Sequence, residues 1–221
     1  MCGRYFLTTP GAVLAEAFGL DAMPELAPRW NVAPSQRVPI VRAAGGGGRE
    51  LALVRWGLVP SWAKEAAIGN RLINARAESL GEKPAFRDSY RKRRCLVPAD
   101  GFFEWQKVGA GKQPWLLRLR GGGVFGMAGL WSSWRDPASG EPLESCAIVT
   151  TAPNELAATV HDRMPVLLPR ALHAAWLAPA ASPSELAPLL APFPADGMEA
   201  FPVSKLVNNP ARDEPACIEP A

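Results

Sequence analysis

Histidine is nearly missing from this chain, with two in 221 residues, and its four cysteines never cluster. Cys2, Cys95, Cys146 and Cys217 form no C-x-x-C pair and no His/Cys group, which argues against a zinc site and against a disulfide scaffold. No metal and no organic cofactor are expected, and a reduced cytoplasmic compartment fits best. Long apolar runs are missing too. No stretch approaches the ~20 residues of a membrane span, and the N-terminus lacks the basic and apolar regions of a signal peptide. A soluble protein with no membrane partner is therefore expected. Charge of one sign is not in excess: 24 basic against 21 acidic residues leave a net +3, too little to announce a nucleic-acid partner by itself. Any such surface must be local. Internal repeats and linkers are absent, so residues 1–221 read as one domain, a monomer, whose last ten or so residues, rich in proline and charge, are expected to fray.

What is present begins at Met1-Cys2-Gly3-Arg4. A small second residue allows the initiator methionine to be trimmed, which would leave Cys2 with a free α-amine and a thiol. Their unperturbed pKa values are about 7.7–8.0 and about 8.5, so at neutral pH a useful minority of each is reactive. The amine can condense with an aldehyde to an imine, and the thiolate can add to the imine carbon to close a five-membered thiazolidine. Lysine stops at the reversible imine. On the tetrapeptide alone, however, Cys2 reads as a small hydrophobe starting a strand.

With 48% hydrophobic residues the chain can bury a substantial core. Strands are expected at residues 2–7, 37–42, 50–56, 94–98, 102–107, 115–120, 124–131 and 144–150, separated by turn signals such as Gly45-Gly46-Gly47-Gly48 and Gly121-Gly122-Gly123. A helix capped by Thr9-Pro10 runs to Phe18 and stops at Gly19. Further helices are expected at 154–160, 170–177 and 184–190. The order indicates an α+β fold on a curled, mostly antiparallel, barrel-like sheet with peripheral helices.

Several segments are more specific. Asn31-Val32-Ala33-Pro34-Ser35-Gln36, Arg55-Trp56-Gly57-Leu58-Val59-Pro60-Ser61-Trp62, Asn74-Ala75-Arg76-Ala77-Glu78, the run from Cys95 to Trp105, and His161-Asp162-Arg163-Met164-Pro165 follow Met1-Cys2-Gly3-Arg4 in order. Together with Gly129-Leu130-Trp131, Val203-Ser204 and Asn208 they resemble the SRAP family, the SOS-response-associated peptidases or abasic-site processing proteins. The resemblance covers Cys2 to about Asn208. It implies a binder of single-stranded DNA that crosslinks its N-terminal cysteine to the open-chain aldehyde of an abasic deoxyribose, and it assigns Cys2, Asn74, Glu104 and His161 to the site.

Each assignment has a chemical rationale beside it. Glu104 lies between Phe103 and Trp105, surroundings that raise a carboxyl pKa and suit it to shuttling protons; taken alone it would be an exposed strand residue. His161 titrates near neutrality and is assigned by the resemblance to proton transfer at the sugar oxygen; a lone histidine is more often structural. His173 lies in an Ala/Leu-rich helical stretch and reads as a surface or partly buried residue. Asn74 both donates and accepts without titrating, and can orient the amine or a sugar hydroxyl. Arg4, Arg76 and Arg163 are the candidate phosphate anchors, each two residues from a site residue, and Trp62 is the candidate for stacking on a base. Arg91-Lys92-Arg93-Arg94 is a secondary phosphate track, though such a run is usually a solvated face. Two other classes stay open: an N-terminal-nucleophile hydrolase, either peptidase or amidotransferase, and a noncatalytic single-strand binder.

Overall fold

The computed structural model of the chain describes residues 2–221, so the processing expected at Met1 lies outside the described residues. In chain order the strands are β1 (Tyr5–Leu7), β2 (Arg29–Val32), β3 (Arg37–Ala43), β4 (Arg49–Trp56), β5 (Asn74–Arg76), β6 (Arg94–Ala99), β7 (Gly101–Val108), β8 (Gly111–Leu119), β9 (Phe125–Arg135), β10 (Pro142–Thr151), β11 (Met164–Pro165), β12 (Leu167–Leu168) and β13 (Met198–Pro202). The helices are short: α1 (Gly11–Phe18), α2 (Arg87–Lys92), α3 (Glu155–Ala158), α4 (His173–Leu177) and α5 (Pro183–Leu186).

Five strands close on themselves. β10 runs parallel to β4, β4 pairs antiparallel with β3, β3 with β6, β6 with β9, and β9 returns to β10. Closure removes the exposed edges of these strands. Every residue of β6 is buried, because one face lines the ring and the other is covered by α4, whose Trp176 Nε1 donates to the Cys95 carbonyl at 2.8 Å. A strand buried on both sides must be continuously apolar, and Cys95-Leu96-Val97-Pro98-Ala99 is. β5 adds to β10 in parallel. A second sheet, antiparallel throughout, has the order β13-β8-β7-β1-β2 and shares the main core through Tyr5, Phe102 and Leu117. The fold is the α+β, barrel-like arrangement the sequence indicates.

The chain passes from the ring to the second sheet at Asp100-Gly101. A Cβ on Gly101 would lie 2.5 Å from the Phe6 ring and 2.9 Å from the Leu117 carbonyl, so only glycine lets β7 settle between β1 and β8. The buried Asp100 carboxylate accepts four hydrogen bonds, from the backbone N–H groups of Thr8 and Thr9 (2.6 and 2.9 Å) and from their hydroxyls (3.0 and 2.5 Å). Thr9 is therefore not the cap of α1. Its backbone N–H and its hydroxyl both donate to Asp100, which holds it outside the cap position, and Pro10 takes that position without a side-chain bond. Gly19 does stop α1, with φ of 62°. Val13 is about half exposed and does not join the buried face made by Leu14 and Phe18.

Three other expectations are corrected. The C-terminus does not fray: Asp213 pairs with Arg29 and accepts from the backbone N–H groups of Trp30 and Asn31, while Cys217 is fully buried with Phe6, Phe103 and Val207. His173 is buried, stacked on Phe18 at 5.2 Å with Nε2 against the Leu168 carbonyl. Arg94 leaves the basic run, because its guanidinium is buried and donates to the carbonyls of Tyr90, Arg91, Trp176 and Ala178.

Asp100→Ala strands four donors in a protein interior. It should lower stability by about 3 kcal/mol, measured by urea unfolding, and a loss below about 1 kcal/mol would mean that water replaces the carboxylate.

Candidate active site

Cys2 lies three residues before the start of the short strand β1, which begins at Tyr5 and not at Cys2. The antiparallel pairing of β1 with β7 continues past the strand end, where the Phe103 N–H donates to the Arg4 carbonyl at 2.9 Å. That register carries Glu104 alongside residues 2–4. From the ring side, β5 is pinned on β10 with Asn74 opposite Ile148 and Arg76 opposite Thr150, and Asn74 Nδ2 donates to the Cys2 carbonyl at 2.9 Å. Asn74 Oδ1 is buried and makes no hydrogen bond among the described residues. It is an acceptor held beside Cys2, suited to an incoming N–H.

His161 arrives from the turn after α3 and lies over the same place, its Nε2 at 3.9 Å from Glu104 Oε2. The Arg163 backbone N–H donates to His161 Nδ1 at 3.1 Å. The Asp162 carboxylate is also 2.9 Å from Nδ1, but it is exposed and can swing, whereas the backbone donor is fixed. With the backbone N–H as its partner, Nδ1 of the neutral ring accepts, and the proton then sits on Nε2, the nitrogen facing Glu104. The structure thus brings Cys2, Asn74, Glu104 and His161 together from four separate stretches of sequence.

Burial sets the titration of these groups. Glu104 is 3% exposed, and its carboxyl is pushed up to about 7, chiefly by burial, with the Asp162 carboxylate adding and Lys112 opposing. Phe103 and Trp105 are not the cause, because strand neighbours point to opposite faces: Phe103 packs in the outer cluster with Phe6 and Leu116, and Glu104 shares the inner face with Phe102. The Cys2 thiol is raised well above its ordinary value, first by burial and then by Glu104. His161 is lowered, mainly by burial. At neutral pH the site therefore holds a neutral thiol, a neutral imidazole and a carboxyl poised between its two forms.

The candidate DNA contacts divide. Trp62 is 55% exposed and stands at a cleft of about 430 Å³ that runs past Asn74 and is rimmed by Arg71, Arg76 and Lys83, with Phe86 in its wall. Arg76 is exposed there. Arg4 is instead drawn inward, donating to Asn31 Oδ1 and the Val207 carbonyl at 2.8 and 2.6 Å and lying 5.7 Å from the Trp105 ring centroid. Arg163 forms a bidentate pair with Glu78. Sequence reasoning missed Arg71, Lys83 and Phe86, which carry no local signal, and it missed Glu78. Among the described residues no group of three or more His, Cys, Asp or Glu could hold a metal ion, and no helix is long and apolar enough to cross a membrane.

A family model described as SOS response associated peptidase (SRAP) matches residues 1–210. The chain belongs to the SRAP family. Among SRAP relatives, the abasic site processing protein YoqW of Bacillus subtilis is 44% identical over 224 residues, 99% of each chain. The abasic site processing protein HMCES of Gallus gallus is 32% identical over 263 residues, covering all of this chain and 78% of its own. The crystal structure of a Bacteroides thetaiotaomicron protein matches all of both chains with a TM-score of 0.90 at 30% identity. The fold is therefore shared with that structure over the full described length.

Burying an ionised Glu104 costs the folded state. Its folded pKa is raised, so the cost is absent below about pH 4.5, where the group is protonated whether folded or not, and it develops as pH rises toward about 7. Glu104→Gln should therefore match the wild type in stability near pH 4.5 and exceed it by roughly 1–3 kcal/mol at pH 8. Denaturant unfolding at both pH values measures this, and equal stability at pH 8 would contradict the assigned burial cost.

Proposed function

We propose that this chain processes abasic sites in single-stranded DNA by forming a covalent thiazolidine through Cys2 after Met1 is removed. The observation that carries this reading is the convergence of Asn74, Glu104 and His161 on Cys2. While Met1 remains, the Cys2 nitrogen is a peptide amide, so removal is required to create the amine. The relatives named as abasic site processing proteins support the substrate.

The chemistry follows from the protonation states. The Cys2 amine attacks the sugar aldehyde, guided by Asn74 Oδ1. The protonated form of Glu104 gives its proton to the carbinolamine hydroxyl, which leaves as water and forms the protonated imine (iminium). The resulting carboxylate takes the proton of the Cys2 thiol as sulfur adds to the imine carbon. A carboxyl near pH 7 can serve both steps. His161, with a proton on Nε2, exchanges it with the ring oxygen as the sugar opens or recloses. Trp62 stacks on a neighbouring base, and Arg76 contacts a phosphate in the cleft beside Asn74. Arg4 and Arg163 contribute positive charge and donate through the N–H groups that their internal partners leave over.

The test mixes the purified protein with intact and abasic single strands and looks for a heat-stable shifted band. Wild type should shift only the abasic strand. Cys2→Ser should give at most a labile imine, and a chain that retains Met1 should give no stable product. A stable adduct surviving in Cys2→Ala would sink the proposal. Peptide cleavage beyond Met1 with no adduct would favour a hydrolase.

Binding separates from chemistry. Arg76→Ala and Trp62→Ala should weaken binding to intact single strands, and Arg76→Ala should reduce the slope of log affinity against log salt by about 0.7. Arg4→Ala, whose side chain is braced internally, should lower thermal stability as well as affinity. Unchanged affinity in both Arg76→Ala and Trp62→Ala would move the DNA path away from this cleft.

A further inference from the structure

Glu78 stands outside the four residues assigned to the chemistry, yet it joins the two halves of the site. It lies in the turn that follows β5, two residues after Arg76 and four after Asn74. Its carboxylate grips the Arg163 guanidinium bidentately, at 2.7 Å to Nη1 and 2.9 Å to Nη2. Arg163 Nη2 also donates to the Thr150 carbonyl at 2.7 Å, and Thr150 is the residue of β10 that pairs with Arg76. Three acceptor contacts thus hold one side chain that is itself only 14% exposed. The backbone of this same Arg163 supplies the N–H that fixes His161 Nδ1.

We propose that Glu78 is a positioning residue: by clamping Arg163 it fixes the 161–163 turn and keeps the His161 proton on Nε2, facing Glu104 and the reacting sugar. The alternative partner for Nδ1 is already in place. If the Arg163 backbone shifts, the exposed Asp162 carboxylate accepts from Nδ1–H, the ring changes tautomer, and Nε2 presents a lone pair where a proton is needed. The bidentate geometry matters because it sets the plane of the guanidinium as well as its distance. Glu78 is itself half exposed and remains ionised through the working range, since the Arg163 hydrogen bonds hold its carboxyl below its usual value. Glu78→Gln keeps an oxygen acceptor for the largely buried Arg163 guanidinium, so the fold should tolerate it.

The catalytic half of this inference rests on the crosslinking reading; the tautomer half does not. Glu78→Gln keeps the shape and removes a negative charge from the DNA-facing side. Simple electrostatics therefore predicts equal or tighter binding of intact single-stranded DNA. Positioning predicts that the crosslinking rate at saturating abasic DNA falls about tenfold or more while binding holds. Glu78→Asp should recover part of the rate. In parallel, proteins labelled with ¹⁵N-histidine should show His161 with its proton on Nε2 in the wild type, and a mixed or Nδ1-protonated ring in Glu78→Gln, with the buried His173 unchanged as the internal control. A wild-type rate in Glu78→Gln, a rate loss fully explained by weaker binding, or an unchanged His161 tautomer would overturn the proposal. If the wild type forms no crosslink, the functional reading fails, and the tautomer comparison still decides whether Glu78 positions His161.

Discussion

A carboxyl group kept out of water beside a thiol is the constraint on which the rest of this structure depends. Glu104 ionises reluctantly because β7 holds it on the inner face, 3% exposed, next to Cys2. In water a carboxyl is fully ionised at pH 7 and cannot give a proton to a departing hydroxyl. Here burial raises the carboxyl to about 7, which under the proposed chemistry lets one group give a proton and then take one. Burial also raises the Cys2 thiol well above its ordinary value, which keeps it neutral at pH 7. The cost in stability is carried by the surrounding fold, as is usual where a site is tuned against its own comfort.

That fold is built to hold the cost. A closed ring of five strands supplies a base without edges, and the second sheet lies on it through a shared core. Long-range ties then fix the approach of the N-terminus. Asp100 binds Thr8 and Thr9, Asn74 binds the Cys2 carbonyl, and the C-terminal Asp213 binds the start of β2, the strand that lines β1. Gly57 and Gly69 pass so closely that a Cβ on either would meet the other's carbonyl oxygen at about 2.6 and 2.5 Å. This contact anchors the loop that displays Trp62 and returns the chain to Asn74. Site residues taken from strands and tightly held turns are placed with the accuracy that proton transfer requires.

Much of this was legible in the residues. Alternating apolar segments bounded by glycine turns gave the strands of the ring, and the Gly45 to Gly48 run does join β3 to β4. The four residues proposed for the chemistry do meet, which no spacing could reveal because they come from stretches far apart in the chain. What failed was partner choice at long range. Thr9 looks like a cap until Asp100 binds its N–H and hydroxyl and Pro10 takes the cap position, and the polar tail looks loose until its aspartate finds two backbone donors 182 and 183 residues away. Glu104 is buried and its carboxyl raised, but not by its aromatic neighbours, which face the other side of the strand. Arg4 and Arg163 carry the charge that the sequence suggests, but internal acceptors claim much of it.

The central claim concerns the nature of one bond, and mass spectrometry of the purified adduct, with and without borohydride, addresses it most directly. The account predicts a product equal in mass to the chain lacking Met1 plus the abasic strand less one water, attached at Cys2, and unchanged by borohydride because a closed thiazolidine has no carbon–nitrogen double bond. An adduct that gains two hydrogens on borohydride treatment, or one that maps to a lysine, would contradict it.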